Sequence, residues 1–232
     1  MTHLALVTGA AHRLGKSFAL TLARLGYDIV LHYHSADDAA LQTKAEIESL
    51  KRSVVLAQAD LTDPSQISTL LANIKSLDVL VNSAAFMPSG NVNALSLENW
   101  DTALDLDIRA PFLLAQEASK KMTNGGSIIN ITDIGAQKAW SRYPSYTVSK
   151  AALESLTKIL ARALAPKIRV NAIAPGFVLQ SDIVPAEEWD RLIGRVPLKR
   201  PARTEEITSA LEFLLKNEYI TGQTIVVDGG YS

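Results

Sequence analysis

Leu4-Ala5-Leu6-Val7-Thr8-Gly9-Ala10-Ala11-His12-Arg13-Leu14-Gly15 is the stretch on which the fold turns. Its four unbroken apolar residues read as a strand covered on both faces, because a half-exposed strand would alternate apolar and polar positions. A helical pattern follows the glycine turn: Leu14, Phe18, Leu22 and Leu25 stand 4, 4 and 3 apart, with Gly26 placed to stop the helix. Strand, tight turn and helix in that order let backbone approach a pyrophosphate at a helix N-terminus. Taken alone, the same residues also fit a plain strand-to-helix turn.

The same unit repeats along the chain. Short β-branched or leucine runs recur at Ile29 to Leu31, Val54 to Leu56, Val79 to Val81, Ile128 to Ile131, Ile168 to Ile173 and Ile225 to Val227, so seven strands are predicted in all. Leu153, Leu156, Leu160 and Leu164 form a second helical stripe, and Ile207, Ala210, Leu211 and Leu214 a third. Strands alternating with helices predict an α/β fold: a Rossmann-like, doubly wound, parallel seven-stranded sheet with helices on both faces, in a single domain spanning 1–232. Residues 177–203 break the rhythm with Pro185, Pro197 and Pro201. They follow the sixth strand at the carboxyl edge, where ligands bind in such sheets, and are expected to cover a substrate site; a mere long connection is the alternative.

Composition narrows the classes of function. The 232 residues carry 23 basic and 24 acidic side chains, for a net charge of -1, which gives no field to gather nucleic acid or an anionic membrane. The absence of cysteine excludes disulfides, thiolate metal sites and a cysteine nucleophile. The first apolar run is far too short to span a bilayer and lacks a signal-cleavage pattern, so an unexported, cytoplasmic protein is expected.

The second strand ends in Leu31-His32-Tyr33-His34-Ser35, without an acidic residue to bond both hydroxyls of a ribose. Arg13, His32, His34 and Ser35 instead offer donors to a ribose phosphate, at roughly 1.5 to 3 kcal/mol for each charge-assisted bond. One such bond shifts cofactor preference by about ten- to a hundredfold, which favours NADPH. His32 and His34 could alternatively be a metal pair, but no third ligand stands nearby in sequence, so no metal is expected. Strand-end packing is the blander reading of both. At the other end, Tyr146 and Lys150 lie four apart on one helix face. An ammonium about 4 Å from a phenol, at an effective dielectric near 20, is worth on the order of 4 kcal/mol, or about three pK units. Lysine is therefore expected to tune Tyr146 as a proton donor to a substrate that receives hydride.

These motifs, in this order, resemble the short-chain dehydrogenase/reductase family over essentially the whole chain. The resemblance rests on Thr8 to Gly15, Asn82-Ser83-Ala84-Ala85, Tyr146 to Lys150, Arg169 to Gly176 and Ile220 to Gly230. It implies that Gly9, Leu14, Gly15, Tyr33, Asp60, Leu61, Asn82, Ala84, Pro175 and Gly176 join Arg13, His32, His34, Ser35, Tyr146 and Lys150 in holding NADPH. Five positions depart from the family's pattern: Ser83 and Ala85 differ from its Asn-Asn-Ala-Gly motif, and three others bear on the chemistry. Arg13 replaces a glycine, Asp133 stands where a serine is usual, thirteen residues before Tyr146, and Asp107 occupies the place of an asparagine in the family's proton relay. Asp133 is either a second acid with a pKa raised by burial or an aspartate bonding local backbone.

Arg13, Leu31 to His34, Asp133, Val184 to Trp189, Val196-Pro197-Leu198 and the ending Asp228 to Ser232 resemble the pteridine reductase branch. That resemblance implies hydride transfer from NADPH to the ring of a dihydropterin or dihydrofolate, with Tyr146 and Asp133 supplying the proton. Phe86 then stacks on the substrate, or is a packing phenylalanine. Trp140 and Tyr143 either wall the pocket or pack the helix start. A carbonyl or 3-oxoacyl reductase, and a non-catalytic NADP(H)-sensing protein, are the alternatives. The family also implies a homotetramer built partly through the helices after Asp105 and Tyr146.

Overall fold

Each apolar run becomes a strand in the computed structural model, which describes residues 3–181 and 184–232. The strands are β1 (His3–Val7), β2 (Tyr27–Tyr33), β3 (Val54–Gln58), β4 (Val79–Asn82), β5 (Gly126–Ile131), β6 (Ile168–Pro175) and β7 (Thr224–Val227). They form one parallel seven-stranded sheet, as expected, in the order β3-β2-β1-β4-β5-β6-β7. Between them run α1 (Arg13–Arg24), α2 (Asp37–Ser49), α3 (Pro64–Ala72), α4 (Leu97–Leu104), α5 (Ala110–Lys121), α6 (Gly135–Lys138), α7 (Pro144–Leu164), α8 (Ala186–Ile193) and α9 (Thr204–Lys216).

Successive strand residues point to opposite faces, and two cores result. Ala5, Val7, Ile29, Leu31 and Ile129 pack with Phe18 and Leu22 of α1, Ile47 of α2 and Leu211 and Leu214 of α9. Leu6, Val30, Leu80, Ile128 and Val170 pack on the other face with Ile67 of α3, Leu114 of α5 and Leu160 of α7. Both faces of the inner strands are covered, which accounts for their uniform hydrophobicity, while Val55 on the edge strand β3 stays 61% exposed.

Local chemistry sets the helix ends. Asp63 caps α3 by accepting from the Ser65 N–H, with Pro64 at the first helical position, where its missing donor costs nothing. Helix α1 stops at Arg24; Leu25 is 38% exposed, so the expected apolar stripe ends one residue early, and Gly26 takes a φ of +96° to turn the chain. Among the described residues, no helix is long and apolar enough to cross a membrane.

From β1 the chain winds outward through β2 and β3, then returns to wind the other way from β4 to β7. The order reverses between β1 and β4, which opens a crevice at their carboxyl ends.

Candidate active site

That crevice is a cleft of about 810 Å³. One half is built on the turn between β1 and α1. Gly9 adopts φ +63°, and a Cβ on Gly15 would lie 2.0 Å from the Gly9 carbonyl oxygen, so this turn closes only with glycine at both places. The N-cap, His12, makes no side-chain capping bond, and the first turn of α1 carries no acidic residue. The helix thus presents unsatisfied N–H groups and the positive end of its dipole, which fits the pyrophosphate of a dinucleotide. Tyr33, His34, Ser35, Asp60 and Leu61 line the same end of the cleft. The Asp60 carboxylate, held below its usual range chiefly by the Thr62 hydroxyl (2.7 Å), also accepts from the Thr62 N–H (2.9 Å).

Three sequence expectations change here. His32 lines the cleft but has no donor to spare. Its Nδ1 accepts from the Gly9 N–H (3.1 Å), its Nε2 lies 3.0 Å from the Ala59 carbonyl oxygen, and burial pushes its pKa down to about 4. It is a neutral strut that pins the glycine turn, because protonating Nδ1 would set two donors face to face. The folded pKa lies below the ordinary 6.5, so its stabilisation is complete above that value and is lost as pH falls through about 4. Replacing His32 by Ala is expected to cost about 2 kcal/mol near neutral pH and progressively less toward pH 4.5, as urea unfolding at a series of pH values will show.

Asn82 is the second change. It is 3% exposed and donates to Asn130 Oδ1 (2.8 Å), so it ties β4 to β5, while its neighbours Ser83, Ala84 and Ala85 line the cleft. The N–H groups of Ser83 and Ala84 both point to the Thr8 hydroxyl (2.9 and 3.0 Å). Arg13 is the third. It sits at φ +53°, a strained conformation for a non-glycine residue, and its guanidinium reaches the far wall, donating to the carbonyls of Leu179 (2.9 Å) and Gln180 (3.3 Å). Arg13 therefore braces the segment after β6 while lining the same cleft as His34 and Ser35.

The other half of the cleft lies over β5 and α7. Pro144 opens α7, which turns Tyr146 and Lys150 inward at 7% and 2% exposure. The Tyr146 hydroxyl donates to Asp133 Oδ2 (3.0 Å), and Asp133 Oδ1 accepts from the Gly135 N–H (2.6 Å). Lys150 Nζ donates to the Ile131 carbonyl (3.0 Å) and stands 5.5 Å from the centre of the Tyr146 ring. Sequence reasoning had lysine lowering the phenol's pKa, and the structure reverses that: burial first, then the charges of Asp133 and Asp107, hold Tyr146 well above 10. Burial also raises Asp133 to about 6, against the pull of Gly135, Tyr146 and Lys150. The site thus pairs a firmly protonated phenol with a carboxyl group that exchanges its proton near neutrality.

Aromatic rings close the cleft. Phe86 lines it beside Met87, and Phe177 and Trp189 line it from the expected covering segment, of which positions 182 and 183 lie outside the described residues. Trp140 stands behind, stacked on Phe177 (6.1 Å, 20°), with Tyr143 edge-on to it (6.5 Å). The sequence reading missed Phe177 and Trp189 as wall residues; their signal was the aromatic content of the proline-broken segment. It also missed the π-helical turn at Asp105–Arg109, which has no pattern of its own in sequence.

Residues 9–232 match the family described as enoyl-(acyl carrier protein) reductase. A 3-oxoacyl-[acyl-carrier-protein] reductase, FabG, of Staphylococcus aureus is 33% identical over 99% of this chain and 98% of its own. Among solved structures, FolM alternative dihydrofolate reductase 1 from Brucella suis, in complex with NADP, superposes with a TM-score of 0.92 at 33% identity, covering 100% of this chain and 96% of that one. A blue fluorescent protein from a metagenomic library, in complex with NADPH, reaches 0.93 at 31% identity over 99% and 98%.

Proposed function

The chain belongs to the short-chain dehydrogenase/reductase family, and from that premise we propose that it is an NADPH-dependent reductase acting on the ring of a dihydropterin or dihydrofolate-like substrate. The observation that carries this reading is the 3.0 Å bond between the Tyr146 hydroxyl and Asp133. When bound, NADPH supplies the hydride. The glycine turn, Leu14, Tyr33, His34, Ser35, Asp60, Leu61, Ala84, Pro175 and Gly176 are the residues to hold it, and the end of β2 supplies donors with no carboxylate to repel a ribose phosphate. The solved relatives carrying NADP and NADPH support the same choice.

Reduction of a ring C=N bond leaves an electron pair on nitrogen and calls for one proton per turnover. Tyr146 donates from its hydroxyl, and Asp133, in contact with that oxygen, restores the proton. A carboxyl group titrating near 6 is half loaded at pH 6 and still about one-tenth loaded at pH 7, so it can take up and pass on a proton in that range. Lys150 holds positive charge beneath the pair through the Ile131 carbonyl and keeps the tyrosine ring in place. Phe86 and Phe177 give the flat faces on which a planar heterocycle stacks.

A second reading, a carbonyl or 3-oxoacyl reductase, is favoured by the curated relatives named 3-oxoacyl-[acyl-carrier-protein] reductase. The two separate in a substrate panel. Purified protein is expected to oxidise NADPH at least about tenfold faster with dihydropterin than with a 3-oxoacyl thioester, and NADPH is expected to outperform NADH by about tenfold or more. Faster turnover of the thioester would replace the first reading with the second.

A further inference from the structure

The chemistry above gives no task to the π-helical turn at Asp105–Arg109, an irregularity found disproportionately at functional sites. Leu106 of this turn lines the cleft, and Arg109 at its end lies at the surface. The guanidinium is held on two sides. Its Nη1 pairs with Asp105 Oδ1 (2.7 Å), and its Nη2 donates to the backbone carbonyl of Thr62 (2.6 Å), 47 residues away in the loop after β3. A surface pair within one helical turn contributes little by itself. This one aims the other edge of the guanidinium at a second element. Thr62 in turn holds a cleft carboxylate: its hydroxyl (2.7 Å) and its N–H (2.9 Å) both donate to Asp60 Oδ1, whereas Asp60 Oδ2 accepts no hydrogen bond among the described residues. The start of the loop is fixed from elsewhere, by the Ala59 N–H on the Tyr33 carbonyl (3.1 Å) and the Asp60 N–H on Gln66 Oε1 (2.8 Å). Among the described residues, only Arg109 bonds the Thr62 carbonyl.

Asp60, Leu61 and Thr62 line the end of the cleft shared with Tyr33, His34 and Ser35. That end takes the ribose phosphate in the reading above, and in NADPH this phosphate sits on the ribose that carries adenine. A nucleobase there has an exocyclic amino group to donate and flat faces to bury. An unbonded carboxylate oxygen answers the first need, and Leu61 and Leu106 answer the second. We propose that Arg109 is a positioning residue for cofactor binding: through the Thr62 carbonyl it holds the loop after β3 so that Asp60 Oδ2 stays available to the adenine half of NADPH. Tyr146 and Lys150 belong to the other half of the cleft, over β5 and α7, so the effect of Arg109 falls on affinity and not on the rate of the bound complex. The inference deepens the NADPH reading of the cleft and is independent of which substrate is reduced.

Arg109→Met keeps the stem of the side chain and removes its donors. Dissociation constants of the wild type and the variant are measured by fluorescence for NADPH, and by calorimetry for adenosine 2′,5′-bisphosphate and reduced nicotinamide mononucleotide. Binding of NADPH and of the bisphosphate is expected to weaken by about five- to tenfold, while binding of the mononucleotide and kcat at saturating NADPH stay within about twofold. A double-mutant cycle for NADPH tests the path: if Arg109 acts through Asp60, Arg109→Met adds less than about twofold to the loss caused by Asp60→Ala. Losses that multiply would give the guanidinium an effect of its own on the phosphates and overturn the inference. So would an unchanged NADPH affinity in Arg109→Met, or equal weakening of both fragments, the mark of a general loosening of the fold. A wild type that binds neither NADPH nor the bisphosphate would instead refute the cofactor reading, a result distinct from an Arg109→Met that binds like the wild type. Should Arg109→Met not fold, Asp105→Asn, which frees the guanidinium to swing away from Thr62, is read in the same cycle with the same expected directions.

Discussion

Tyr146→Phe is expected to lower kcat for NADPH oxidation by about 10²- to 10⁴-fold while leaving the dissociation constant for NADPH within about threefold. The substitution deletes one oxygen and keeps the ring, so packing against Lys150 (5.5 Å from the ring centre) and the start of α7 persist. What goes is the only hydroxyl that contacts Asp133 Oδ2 among the described residues, and with it the path from the carboxyl group to the substrate. Asp133 does not simply replace the phenol, because its other oxygen is committed to the Gly135 N–H (2.6 Å) and the missing hydroxyl leaves a gap of one atom toward the cleft. Steady-state rates with the best substrate of the panel, beside a fluorescence titration of NADPH, measure both quantities. Turnover near the wild-type level would remove Tyr146 from the chemistry.

Strand positions and the parallel, doubly wound class were legible because they follow from period and length: a short apolar run flanked by helical stripes admits few other structures. That Tyr146 and Lys150 share one helix face followed from their spacing. What escaped the sequence were facts of partnership. His32 reads as a donor from its chemistry, yet the turn of Gly9 and the end of β3 consume both ring nitrogens. Asn82 reads as a ligand residue from its position, yet β5 brings Asn130 within 2.8 Å. The spacing of Tyr146 and Lys150 suggested an attractive pair, but spacing says nothing of the two carboxylates folded against them from other elements. Their effect on the phenol is opposite in sign to that of lysine, and burial adds to it.

Asp133→Asn is expected to stabilise the protein at pH 8 and to leave its stability nearly unchanged at pH 4, while turnover falls at least tenfold near neutral pH. Folding raises the Asp133 pKa from 3.8 to about 6, so across that interval the native state binds more protons than the unfolded chain. Stability attributable to this group is therefore present at low pH, declines as pH rises through about 6, and above that the fold bears the whole cost of a buried charge. Two pK units correspond to roughly 3 kcal/mol, and the water of the adjoining cleft reduces the net to about 1–3 kcal/mol. Asparagine removes the charge yet can still accept from the Gly135 N–H, and its amide can donate to the Tyr146 oxygen, so the local fold persists. A gain of several degrees in Tm at pH 8, absent at pH 4, is the signature in thermal unfolding scans. The opposite pattern, with loss of stability at pH 8, would mean that the carboxylate is stabilised in place and that no exchangeable proton is held beside Tyr146. A gain in stability joined to a loss in rate would instead locate a cost that the fold carries for its chemistry.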